Sequence, residues 1–194
     1  MRVRANARDA ALILGVLALT ACATPTARTI PVRESTAAEA RTLSAALGPL
    51  LAELDDPALY RAGCKIGLAI MPSPRINASA GPGRATPCTT FTLIVTEGAL
   101  TRLPVGMLRA VLAHELGHVA LRHSGGNTRA FEAAADAFAV KLLRRIEPRY
   151  PDACVQLVYV FSVLADQGGF ASAWLAAHPS PDRRAEVAME GCNR

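Results

Sequence analysis

The sequence predicts an α+β domain, mainly helical, with a small β-sheet. Three observations carry that expectation. Lys65 to Ile70 and Thr89 to Thr96 alternate, or are β-branched and aromatic, as strands are. From Pro104 onward, apolar residues recur at helical spacing. Hydrophobic residues make up 51% of the 194 and charged residues 19%, which suits one domain with its own core and excludes a disordered chain. Aromatic residues are only 5%, with a single Trp, which disfavours an aromatic-rich sandwich or a base-stacking platform.

The elements follow in order. Thr36 and Glu39 stand three apart, as in a capping box, and open a helix that stops at Asp55-Asp56-Pro57. Its apolar positions are Leu43, Leu47, Leu50 and Leu54. The strand from Lys65 to Ile70 is followed by a Pro- and Gly-rich stretch, 71–88, that reads as loop, and then by the strongest strand, Thr89 to Thr96. Pro104 suits a first helical position. The helix it opens carries Leu108, Val111, Leu112, Leu116 and Val119 to about His123, where Ser124-Gly125-Gly126-Asn127 ends it and Asn127 can cap the next. Further helices are expected from Thr128 to Ile146, from Asp152 to Asp166 and, after a loop holding His178-Pro179, from Asp182 to Met189.

The N-terminus reads as an address. Arg2, Arg4 and Arg8 precede an apolar run from Ala10 to Leu19, the pattern of a secretory signal and too short to span a bilayer. Leu19-Thr20-Ala21-Cys22 resembles the bacterial lipobox, which implies cleavage before Cys22 and lipid on its sulfur. The organisation is then a signal at 1–21, a flexible tether at 22–33 and one domain at 34–194. The expected location is the cell envelope, lipid-anchored to the outer membrane and facing the periplasm. Losing the signal lowers the net charge from +5 to +3, since it holds three Arg and one Asp. Apart from the pairs Arg144-Arg145 and Arg183-Arg184, the remaining Arg residues are scattered singly, so a nucleic-acid partner is not expected. Cys64, Cys88, Cys154 and Cys192 are left as an even set in an oxidising compartment. Of three pairings, Cys64–Cys88 brackets one short segment and Cys154–Cys192 ties down the C-terminus; four free thiols are the alternative.

The chemistry centres on His114-Glu115-Leu116-Gly117-His118. Histidines at i and i+4 leave one helix face and can share a Zn²⁺, and Glu115 beside them can act as general base on an attacking water. A hydrolytic zinc wants a third protein ligand. His123, Glu132 and His178 are candidates. His123 is expected to point off the metal face, toward the helix C-terminal dipole. Glu132 lies on the next helix, one turn before Asp136, which can accept a hydrogen bond from a ligand histidine. The small Ala133-Ala134-Ala135 run would let two helices approach closely.

The stretch from Ala113 to His123 resembles the zinc helix of the M48 metallopeptidases, which are gluzincins. Phe131 to Asp136 resembles that family's ExxAD segment, Ile76 to Gly81 its Asn-Ala segment, Leu93 to Leu100 its strand and turn, and His178 to Arg184 its His-Pro-x4-Arg segment. The resemblance runs over roughly residues 60–190. It implies one zinc on His114, His118 and Glu132, with Asp136 supporting the site and Glu115 as base. It also places His178 and Arg184 near the site, where either could stabilise an oxyanion; a structural ion pair between Arg184 and Asp136 or another acid is the other reading. Extended peptide substrate would add to an edge strand within 90–97. The implied activity is zinc-dependent endopeptidase action on envelope proteins in quality control. The alternative is a non-proteolytic zinc lipoprotein that binds or helps assemble such proteins.

Overall fold

The computed structural model describes residues 32–54, 65–82, 89–123, 128–165 and 180–193. Helix α1, Ala37–Glu53, opens on the expected capping box: Glu39 N–H donates to Thr36 Oγ1 at 3.3 Å and Thr36 N–H to Glu39 Oε2 at 2.7 Å. Leu43, Leu47, Leu50 and Leu54 are all buried. Arg33 holds this corner by bonding both Glu39 and Glu97.

Strand β1 is Lys65–Met71, and β2, Ala78–Pro82, lies inside the stretch expected to be loop. Ala-Ser-Ala-Gly-Pro has no β-branched residue to signal a strand. It is extended because β3, Thr89–Thr96, supplies the ladder. The sheet order is β1-β3-β2, with β1 parallel and β2 antiparallel to β3. The strand at 89–96 is therefore central, with both edges paired, and cannot accept a substrate strand. That expectation is corrected: β2 is the edge strand beside the site. The outer side of β1 is met by Arg33, paired with Ile70 through two 2.8 Å backbone bonds.

A short helix α2, Glu97–Arg102, had no periodic signal at six residues. Buried Thr96 organises its start. The Thr96 hydroxyl accepts from Ala99 N–H at 3.3 Å and from Asn77 N–H at 2.9 Å, and lies 2.6 Å from the Arg75 carbonyl. Gly98 is required by close approach, since a Cβ would overlap the Pro74 and Arg75 carbonyls.

Helix α3 is Val105–Ala120, with Pro104 as N-cap instead of first helical residue. Helix α4, Arg129–Ile146, is capped by Thr128, whose Oγ1 accepts from Phe131 N–H at 3.2 Å; Asn127 lies outside the described residues. The expected close approach of α3 and α4 is made by Gly117 on Ala135. A Cβ at Gly117 would sit 2.9 Å from the Ala135 carbonyl oxygen and 3.0 Å from its Cα. Helix α5, Val155–Ala165, starts three residues later than expected, after Asp152 turns the chain at φ 64°. Helix α6 is Pro181–Cys192. The core lies where α1, the sheet, α3, α4 and α5 meet. The sulfurs of Cys154 and Cys192 are bonded, with Cα atoms 5.7 Å apart, joining the residue before α5 to the end of α6. Residues 1–31, Cys22 among them, and Cys64, Cys88 and His178 lie outside the described residues. No described helix is long and apolar enough to cross a membrane.

Candidate metal centre

Helix α3 presents His114 and His118 one turn apart, and their Nε2 atoms lie 3.0 Å from each other. Across the Gly117–Ala135 contact, α4 brings Glu132 to both. Its Oε2 is 3.2 Å from His114 Nε2 and its Oε1 3.4 Å from His118 Nε2. Glu132 is 0% exposed and stands in the first turn of α4, where the helix dipole favours a carboxylate. One ligand atom from each residue falls within 4.8 Å of the others. Two imidazoles and a carboxylate converging from two helices fit a divalent metal, and the N,N,O donor set suits a hydrolytic zinc.

The second layer fixes the ring of His114. His114 Nδ1 lies 2.8 Å from Asp136 Oδ1, so Nδ1–H donates to the carboxylate and Nε2 is aimed at the ligand cluster. Asp136 is held in turn by Arg184 on α6, with Nε donating to Oδ2 at 2.8 Å and Nη2 to Oδ1 at 2.7 Å. The guanidinium of Arg184 stacks over Phe161 at 4.3 Å. Of the two readings of Arg184, the ion pair with Asp136 is the one present. Its Nη2 reaches His114 Nδ1 at 3.4 Å and lies 3.7 Å from Glu132 Oε2, so its charge is engaged by the residues that hold the centre and its role is a positioning one.

Burial alone would raise the Asp136 carboxyl, but the bonds from Arg184 and His114 outweigh it and hold it below its ordinary value. Burial alone would lower the His114 imidazole, yet the bonds to Asp136 and Glu132 lift it to about 9. In the metal-free protein His114 is therefore cationic at neutral pH. Its raised value stabilises the metal-free fold fully below pH ~6.5, and that contribution is lost as pH rises through about 9. Metal uptake at pH 7.5 should release about one proton, because Nε2 must lose its hydrogen to become a ligand. Calorimetric titration in two buffers of different ionisation enthalpy reads this directly. Equal apparent enthalpies would show that His114 is already neutral.

Glu115 is buried, and burial raises its carboxyl above the ordinary range; the charges of His114 and His118 and a bond from the Ala80 backbone pull it partly back. The Ala80 bond places Glu115 beneath edge strand β2. A carboxylate tuned upward, beside the ligand histidines and under an open strand edge, has the properties of a general base.

His123 lies off the metal face as expected, but it turns back onto the site instead of toward the helix dipole: its Nδ1 lies 3.0 Å from His118 Nδ1, and its ring stacks on Phe131 at 4.3 Å. The cause is the end of α3. Arg122 takes a left-handed φ of 54°, His123 N–H bonds the His118 carbonyl and Arg122 N–H the Val119 carbonyl. This is a Schellman ending, which folds the sixth residue back over the first. Gly usually occupies the left-handed position, so Arg122 hid the motif. Burial and the neighbouring His118 charge lower the His123 imidazole, which keeps it neutral and able to accept from His118 Nδ1–H. His123→Phe keeps the stack but removes that acceptor. Metal affinity should fall about 10–100-fold, measured by competition with a chromogenic chelator, and unchanged affinity would leave His123 a packing residue.

Residues 67–128 match the model of peptidase family M48. Over this stretch the chain is similar to the M48 metallopeptidases. No curated protein and no solved structure matches it. The matched stretch spans most of the sheet, α2 and all of α3, including His114, Glu115 and His118. Glu132, Asp136 and Arg184 lie beyond its end, and geometry alone joins them to the centre.

Proposed function

We propose that this chain is an M48-type zinc-dependent endopeptidase that cleaves envelope proteins in quality control, tethered by lipid on Cys22. The observation that carries this is the convergence of His114, His118 and Glu132 with buried Glu115 alongside, under a strand edge. Zn²⁺ held by those three residues would supply a Lewis acid for the scissile carbonyl and acidify water for attack. Glu115 takes the proton of the attacking water and returns it to the leaving amine. Asp136 and Arg184 keep the His114 tautomer, and His123 that of His118. An extended substrate would pair with the outer edge of β2, the sheet edge nearest Glu115.

Metal analysis of the purified full chain tests the centre. Wild type should carry about one zinc per chain, and His118→Ala almost none. A metal-free wild type, or full zinc in the variant, would overturn the assignment.

A further inference from the structure

Helix α1 carries Pro49 in its interior. Proline has no N–H to give, so the carbonyl four residues back, that of Ala45, loses its helical partner. Arg109 on α3 supplies one, with Nη2 donating to the Ala45 oxygen at 3.1 Å. Its guanidinium lies 4.3 Å from the centroid of the Tyr150 ring. One donor would satisfy the carbonyl, yet the residue brings a full charge and further N–H groups. Arg109 is 8% exposed, its Nε has no hydrogen-bond partner and no carboxylate faces it among the described residues. Buried cations are ordinarily paired.

This cation lines a cavity of about 520 Å³ between α1 and the end of α4. Ser44, Gly48, Arg149 and Tyr150 share the walls. Arg149 is engaged by Glu53, so among the described residues the charge left uncompensated at this cavity is that of Arg109. At Gly48 an added Cβ would meet nothing within 4 Å, so that wall stands open. A guanidinium in a cavity whose walls also carry Ser44 and Tyr150 suits a tetrahedral oxyanion, which accepts from several directions. The volume leaves room for whatever the oxyanion is attached to.

We propose that this cavity binds a phosphate group, held by Arg109, either as free phosphate or as a lipid headgroup. Neither Arg109 nor Ser44 belongs to the metal centre, so the proposal stands apart from the peptidase reading. The test takes the full chain, wild type, Arg109→Met and Ser44→Glu. Ser44→Glu places a carboxylate at the cavity wall while leaving the bond to Ala45 in place, so it decides the matter if Arg109→Met fails to fold. One arm titrates inorganic phosphate by calorimetry. The other measures sedimentation with phosphatidylcholine vesicles, with and without phosphatidylglycerol. Saturable binding should occur in at least one arm and weaken at least about tenfold in the folded variants. Binding of inorganic phosphate names the free anion; a gain seen only with phosphatidylglycerol names the headgroup. No saturable binding by wild type in either arm, or binding that survives in folded Ser44→Glu, would overturn the proposal.

Discussion

Glu115→Gln is expected to slow peptide hydrolysis by about 10²–10⁴-fold while leaving the metal content unchanged. The substitution conserves shape, and the amide oxygen can still accept the Ala80 bond, so β2 keeps its place over α3. What disappears is the proton acceptor. Burial makes the Glu115 charge costly in the metal-free fold, so thermal stability of the metal-free protein should hold or rise slightly in the variant. Rates on a quenched fluorescent peptide library, read beside zinc content, separate the two effects. Equal rates with equal zinc would take Glu115 out of the chemistry. Absence of hydrolysis in both forms would favour the alternative of a zinc-holding lipoprotein that binds its clients.

Arg184→Met should produce the largest loss of stability. Arg184 is 4% exposed, donates twice to Asp136 and stacks on Phe161, so it ties α6 to α4 immediately behind His114. Methionine fills part of the volume but takes two of the three bonds from the buried Asp136 carboxylate, leaving it only that from His114. Breaking such a pair from one side costs about 3–5 kcal/mol, and in a domain of this size that lowers the midpoint of thermal unfolding by about 6–20 °C. Arg184→Lys keeps the charge without the two-pronged geometry and should fall between. The Asp136→Asn, Arg184→Met double variant should lose less than the sum of the singles, since the asparagine carries no charge for the missing guanidinium to leave exposed to burial. A midpoint for Arg184→Met within about 1 °C of wild type would mean that water or a rearranged neighbour satisfies Asp136.

Local rules were legible where the chain declares them locally. The Thr36–Glu39 capping box, the four leucines of α1 and the histidine pair one turn apart depend on neighbours within one or two turns. The structure carries each as read. Strand β2 was not legible, because Ala78 to Pro82 owes its extended form to the ladder on β3. Helix α2 was too short to show a period. His123 was misplaced because Arg122 takes a conformation that glycine would have announced. Arg184 was found by position but left with two roles, since spacing along the chain cannot say which buried acid, 48 residues away, a guanidinium meets.

The sequence alone therefore determined the pieces: a helix bearing two imidazoles on one face with a carboxylate beside it, a second helix with Glu132 and Asp136 one turn apart, and the strand–helix order of the domain. Their identities and periods are set by steric and hydrogen-bonding rules that act over a few residues. Only the tertiary structure decided how the pieces are used. Gly117 on Ala135 brings α4 close enough for Glu132 to reach both histidines, α6 delivers Arg184 to Asp136, and β3 takes the centre of the sheet so that β2 is left at the edge above Glu115. These outcomes depend on packing between segments distant in sequence, where burial and electrostatic pairing choose among partners that local propensity does not distinguish.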